Sequence, residues 1–366
     1  MSSVTLVRSA QRSARVQSKR TYHDLAVTPS RKPIVSYGPP GYSAVTGHCV
    51  TVFGCTGFLG RYLVSKLGKM GTQVVIPYRD EDEKRLLRPM GDLGKIVPME
   101  WDIRNEQQIE ECVRHSDVVY NLTGRQYETK NFTYDAVHTA GAERIAKIAA
   151  ANGVEKFVHV SHLNAAVDSP SEFYASKARG EELVKEAFPT ASIVRPGALY
   201  GYEDKLLNNM ASWPIWWKLN WGETKIRPAH VMDVAQALAN LTHMPAVPRT
   251  INLPGPSTFT HEYMLQLVES VTLRPPSKAP VVPKKIAMAL ADIATKSVWW
   301  PTLCPDEVVR RYLDDVDVTG DWDLTGVTPT EIEQHAIKYL RRYRSYDNVV
   351  RPVVFPPRPE PESITA

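Results

Sequence analysis

Cysteine is scarce. The chain carries four in 366 residues, Cys49, Cys55, Cys112 and Cys304. None forms a Cys-x-x-Cys pair or has histidines at metal spacing, which argues against a zinc or disulfide framework and leaves no metal ligand set. No uncharged apolar run approaches the roughly 20 residues that a bilayer span requires, so a soluble or peripheral protein is expected. Acidic residues are missing before Asp24, whereas Arg8, Arg12, Arg15, Lys19 and Arg20 all precede it. These five basic residues exceed the net charge of +4 and leave the rest of the chain at about −1. The body therefore carries no nucleic-acid footprint.

An acid-free stretch rich in Arg and Ser, with apolar residues between the charges, has the composition of a mitochondrial transit peptide, here residues 1–22. A solvated basic tail is the alternative. Residues 23–47 form an N-terminal extension that includes a Pro/Gly-rich connector, Lys32 to Gly47. The chain then alternates short apolar runs with longer amphipathic segments, the pattern of βαβ units. It predicts strands near Val50 to Phe53, Gln73 to Pro77, Ile96 to Met99, Val118 to Asn121, Phe157 to Ser161 and Ser192 to Arg195. Helices are predicted over Phe58 to Met70, Glu106 to His115, Phe132 to Ala151 and Glu172 to Ala187.

The expected fold is α/β, a Rossmann-type doubly wound parallel sheet over residues 48–201. A smaller C-terminal lobe, 202–345, lends some segments to the sheet, and 346–366 is an extended tail. Beyond Gly201 the alternation weakens and tryptophans gather, at Trp213, Trp216, Trp217 and Trp221.

The most informative stretch is Gly54-Cys55-Thr56-Gly57-Phe58-Leu59-Gly60. It follows the apolar run Val50 to Phe53 and opens a helix, which is the context a dinucleotide fingerprint requires. Gly54 permits the tight turn, Gly57 lets the backbone approach a pyrophosphate, and Gly60 lets the helix pack on the strand. Free N–H groups at the helix start would receive the phosphates. Gly54, Thr56, Gly57, Phe58, Leu59 and Gly60 are thus candidate cofactor contacts; a ligand-free glycine turn is the alternative.

The end of the second strand selects between nicotinamide cofactors, since an acid there holds a ribose 2′-hydroxyl and an Arg a 2′-phosphate. It reads Val75-Ile76-Pro77-Tyr78-Arg79, making Arg79 the candidate 2′-phosphate ligand and Arg61 a second cation. Surface arginines without partners, or Asp80 facing the ribose, remain alternatives.

With these motifs, and with Asp102, Asn121-Leu122-Thr123-Gly124 and the stretch Val194 to Gly201, the chain resembles the extended or atypical short-chain dehydrogenase/reductase family from about Val50 to Val271. More narrowly, Thr51 to Arg79, Arg88 to Gly94 and Val158 to Ala165 resemble the accessory Rossmann-fold subunits of mitochondrial NADH:ubiquinone oxidoreductase, respiratory complex I. The family resemblance implies that Asp102 lies beside the adenine, that Leu122, Thr123 and Gly124 pass under the cofactor, and that Pro196 to Leu199 abut the nicotinamide. Taken bare, Asp102 reads as a helix cap and 121–124 as an ordinary turn.

Catalysis in that family uses a Tyr and a Lys four residues apart, the Lys lowering the Tyr pKa and binding the nicotinamide ribose. Counting back four from Lys177 gives Phe173, which cannot transfer a proton. Tyr174 is three residues away and is rotated about 100° round a helix from the required place. At the usual Ser position Ser161 contacts the cofactor and Leu163 replaces the hydroxyl. No catalytic residue is therefore assigned.

Two functions follow. One is a non-catalytic complex I subunit on the matrix side of the inner membrane, holding NADP(H), as NADPH, as a structural ligand among other complex I subunits. The other is a free mitochondrial NADP-dependent reductase or epimerase-like enzyme with Tyr174 or His162 as acid. Trp213 to Trp221, and Trp299-Trp300 after the apolar helix Ile286 to Val298 with Lys284 and Lys285 before it, suggest burial against a partner or peripheral contact with a lipid surface, with core packing as the alternative.

Overall fold

The computed structural model describes residues 23–27, 32–38, 41–212, 218–246, 248–297 and 304–358. The segment expected to be a transit peptide lies outside them, as do Trp213, Trp216, Trp217, Trp299 and Trp300.

A seven-stranded parallel sheet forms the centre. Its strands are β3 (Cys49–Phe53), β4 (Gln73–Tyr78), β5 (Ile96–Glu100), β6 (Val118–Asn121), β7 (Lys156–Val160), β8 (Ser192–Pro196) and β12 (Thr250–Leu253), in spatial order β5-β4-β3-β6-β7-β8-β12. Each neighbouring pair is parallel, with Val50 of β3 opposite Val74 of β4 on one side and Val118 of β6 on the other. Helices cover both faces, and the central strand β3 accordingly buries Val50, Val52 and Phe53 completely.

One face holds α1 (Phe58–Lys69) and α6 (Val231–His243), packed through Leu63, Leu67, Val234 and Leu238. The other holds α2 (Glu106–Val113), α3 (Ala140–Ala151) and α4 (Glu172–Ala187), packed through Ile109, Ile145 and Val184. The sheet is tied to α6 by polar groups as well. The buried Tyr120 hydroxyl donates to Leu238 O at 2.7 Å. Lys156 Nζ donates to Leu241 O and Thr242 O, at 2.8 and 3.0 Å, meeting the open carbonyls at that helix end.

Several boundaries differ from expectation. The stretch predicted as one helix from Phe132 begins only at Asp135, with a π-turn to Thr139 leading into α3, and Phe132 joins a loop. The predicted connector contains β2 (Pro33–Tyr37), paired antiparallel with β1 (His23–Val27). β12 was not predicted, because its four residues lie far along the chain from any βα repeat. The apolar helix predicted from Ile286 starts earlier, as α8 (Lys284–Ser297).

Beyond β8, the short strands β9 (Leu199–Tyr200) and β11 (Ala229–His230) pair in parallel, and β10 (Lys225–Ile226) pairs antiparallel with β13 (Phe259–Thr260). They frame a second core of Tyr200, Leu207, Phe259, Met264 and Leu340. The end of the chain is partly held: Val353 packs on that core, and Arg358 Nε donates to Glu333 at 2.9 Å. Among the described residues, no helix is long and apolar enough to cross a membrane.

Candidate functional site

In an open parallel sheet a ligand sits beyond the carboxyl ends of the strands where the strand order reverses, here between β3 and β6. The glycine turn is at that place. Gly54 has φ +78°, and a Cβ there would stand 2.8 Å from the Leu122 backbone carbon. A Cβ at Gly60 would stand 2.3 Å from Gly54 O, so α1 packs this close to β3 only with glycine. Gly57 precedes α1 with no side-chain cap and no acid in the first turn, leaving its amide dipoles turned to the cleft side.

A cleft of ≈ 270 Å³ opens over this turn. It brings together Gly54, Thr56, Gly57, Arg79, Asp102, Leu122, Thr123 and Gly124 of the residues named from sequence. Sequence reasoning missed Glu83, Trp101, Ile103, Arg125, Phe132 and Val137 in the same wall. For Arg125 a signal existed, since it directly follows Gly124; the others are brought in by tertiary packing. Asp102 Oδ1 accepts the Arg104 N–H at 2.8 Å, and the cap of α2 is Asn105, not Asp102. Arg79 is exposed and lines the cleft. Arg61 does not: its Nη2 lies 2.6 Å from Glu203, which neutralises it away from the cleft. Phe58, Leu59 and Gly60 also stand behind the lining, where Leu59 is core and Phe58 packs edge-on against Tyr62.

Ser161, Lys177, Pro196 and Leu199 lie outside the open cleft, in a part of the site closed by the chain itself. Lys177 Nζ donates to Val160 O at 3.4 Å and stands 3.6 Å from where a Gly124 Cβ would be. Burial pushes its pKa down to about 8 against the pull of Glu181. Ser161 Oγ is buried with no hydrogen-bond partner among the described residues. Leu163 is buried beside it in sequence, its N–H donating to Pro196 O. Pro196 is buried, and Leu199 packs against the main core.

Phe173 occupies the position four before Lys177, buried with Tyr134 and Tyr174. Its ring is covered by Arg310, from α9 (Pro305–Arg310), whose guanidinium carbon is 4.5 Å from the ring centre. The same segment caps α4: Asp306 accepts the Ser171 hydroxyl and the Glu172 N–H, each at 2.9 Å. Further on, Asp315 accepts from Asn164 Nδ2 at 2.8 Å and Asn164 accepts the Val316 N–H. A strap of residues 304–316 thus covers Phe173 and the start of α4, one turn before Lys177.

Neither alternative acid is poised to act. His162 Nδ1 accepts the Asn164 N–H at 3.1 Å, and burial pushes its pKa down to about 3. Tyr174 lies on the His162 ring, 4.8 Å between centres, and burial pushes its phenol up to about 12.

A cradle that only glycine permits, an orphaned hydroxyl at Ser161 and a lysine with one long hydrogen bond fit a dinucleotide lying from Arg79 to Lys177. Among the described residues no cluster of His, Cys, Asp or Glu could hold a metal.

Comparison with known proteins identifies the family. The model of the NAD dependent epimerase/dehydratase family matches residues 50–253. The NADH-ubiquinone oxidoreductase 40 kDa subunit, mitochondrial, of Neurospora crassa is 44% identical over 331 residues, 89% of this chain and 88% of the relative. NADH dehydrogenase (ubiquinone) 1 alpha subcomplex subunit 9, mitochondrial, of Rattus norvegicus is 39% identical over 324 residues, 86% of this chain and 85% of the relative. Among solved structures, dTDP-glucose 4,6-dehydratase of Bacillus anthracis in complex with NAD superposes with a TM-score of 0.54 at 15% identity, covering 72% of this chain and 96% of the other, which bears on fold alone. The chain belongs to the NAD dependent epimerase/dehydratase family, in the same group as these mitochondrial NADH-ubiquinone oxidoreductase subunits.

Proposed function

We propose that this chain is an accessory, non-catalytic subunit of mitochondrial respiratory complex I that holds NADP(H), as NADPH, as a structural ligand. The observation that carries the reading is the pairing of an intact nucleotide cradle with a proton-transfer position filled by Phe173 and covered by Arg310. The names of its relatives support the assembly. Arg79 supports the phosphorylated cofactor, since it lines the cleft after the second strand of the βαβ unit.

The cofactor-contacting groups in this reading are Gly54, Thr56 and Gly57 of the glycine turn, Arg79, Asp102, Leu122 to Gly124, Ser161, Lys177, Pro196 and Leu199. When bound, the nicotinamide could supply hydride, but this chain offers no acid beside it. Lys177 would orient the ribose, and the strap would exclude carbonyl substrates. A ligand that binds only the folded state adds stability as its concentration rises above its dissociation constant, which is the work assigned to it here.

The location is the matrix side of the inner membrane, among other complex I subunits. Peripheral lipid contact would run through α8, where Ile286 and Leu290 are exposed at helical spacing after Lys284 and Lys285. The test of the whole reading is to denature the purified full chain and chromatograph what it releases. Stoichiometric NADP(H), with no NADPH consumption across a broad carbonyl panel, is the expected result. Release of no nucleotide, or turnover of a carbonyl, overturns it.

A further inference from the structure

We propose that Arg125 is a ligand of the dinucleotide's pyrophosphate, an assignment that rests on the dinucleotide-binding reading above. A phosphorylated nicotinamide dinucleotide carries two anionic groups, the 2′-phosphate at the adenosine end and the pyrophosphate at the glycine turn. Only two cationic residues line the described cleft, Arg79 and Arg125. They follow the strands on either side of β3: Arg79 comes after β4 and Arg125 after β6. Arg79 is thereby at the ribose end. The pyrophosphate meets the uncapped start of α1, and Arg61, the cation next to that helix start, is taken by Glu203. Arg125 is left to supply the charge.

The guanidinium is available for this. It makes no ion pair among the described residues, and of its five N–H groups one donates to a neutral hydroxyl, Thr129 Oγ1 at 3.3 Å. Its carbon lies 5.3 Å from the Tyr127 ring centre and 6.0 Å from that of Phe132, aromatic surfaces that limit where it can swing. The backbone beneath it is fixed: Arg125 N–H donates to His138 Nε2 at 3.0 Å, and His138 Nδ1 reaches Ser176 Oγ at 3.0 Å.

A purely structural role for the side chain is the competing explanation, but the loop is held by other groups. Arg104 donates to Asn131 O at 2.7 Å and covers the Phe132 ring, the Tyr134 hydroxyl donates to Gln126 O at 2.8 Å, and Glu128 accepts the Tyr134 N–H. The loop keeps its shape without the Arg125 guanidinium.

The experiment is calorimetric titration of the full chain, refolded after removal of its bound nucleotide, with NADPH and, separately, NADH, for the wild type, Arg125→Gln, Arg125→Lys and Arg79→Gln. The pyrophosphate is common to both nucleotides, so Arg125→Gln should weaken both by the same factor, on the order of 10–100-fold for a charge-assisted contact, and Arg125→Lys by less. Arg79→Gln should weaken NADPH alone. Melting midpoints without nucleotide should match the wild type for both Arg125 variants; if Arg125→Gln fails to fold, the Lys variant carries the test through its loss of the planar fork. Unchanged affinities, or a loss confined to NADPH, overturn the pyrophosphate assignment while leaving dinucleotide binding in place. A wild-type chain that binds neither nucleotide overturns both.

Discussion

The guanidinium of Arg310 lies 4.5 Å from the ring centre of Phe173, and Lys177 Nζ lies 5.6 Å from the same ring. Cation contacts of this kind favour the ring, which stands four residues before Lys177, the spacing at which the resemblance to short-chain dehydrogenases leads one to expect a proton donor. Restoring the hydroxyl with Phe173→Tyr should therefore leave the protein without carbonyl reductase activity, because the strap still covers the site. NADPH absorbance followed with a carbonyl panel checks this; turnover in the single variant would show that the strap admits substrate.

Arg310→Ala should loosen the strap. It removes the ring contact, the donation from Nη2 to Gln126 O at 3.0 Å and the ion pair with Asp306 at 3.2 Å. The expected loss is roughly 1–3 kcal/mol of unfolding free energy from these contacts together. Denaturant titration reads the loss, and limited proteolysis should show earlier cleavage within 304–316. Wild-type stability and cleavage would show that the strap is held by Asp306 and Asp315 instead.

Gly60→Ala should fold less stably and bind no nucleotide. The added methyl group meets Gly54 O at 2.3 Å, so α1 must move away from β3, at a cost of roughly 1–3 kcal/mol for overpacking. Thermal melts and nucleotide titration check it. A variant with native affinity would mean that the turn tolerates a shift.

Stability should fall as pH drops below about 6.5. His138 and His159 are both buried, and burial, seconded by Lys177, pushes their pKa values to about 2 and about 3. Each uses an unprotonated ring nitrogen, His138 Nε2 for the Arg125 N–H and His159 Nδ1 for Asn121 Nδ2. Between those depressed values and 6.5 the unfolded chain binds more protons than the folded one, so stability rises with pH through that window and is lost as pH falls. Each group contributes about 1.4 kcal/mol per pH unit there. Urea midpoints at pH 7 and pH 5 test this, and His159→Gln should flatten the slope.

Much of the fold is legible because β3 to β8 and α1 to α4 repeat in a regular rhythm. β12 is not, since only its pairing with β8, far back in the chain, makes it a strand, and the β1–β2 pair is not, since the prolines and glycines around it mask two short extended runs. The glycine turn is legible from its spacing and its place after Val50 to Phe53. The status of Arg61 is not, because Glu203 reaches it across 142 positions of sequence. Phe173 is legible by counting from Lys177. The strap that covers it is not, since nothing around Arg310 marks that residue for an aromatic ring far upstream.

In this reading the chain works inside an assembly rather than as a free enzyme. Mildly solubilised mitochondrial membranes separated on a native gel, with this polypeptide located by mass spectrometry, test it most directly. Migration with a very large NADH-oxidising assembly is the predicted result. Recovery only as a small soluble species would contradict it.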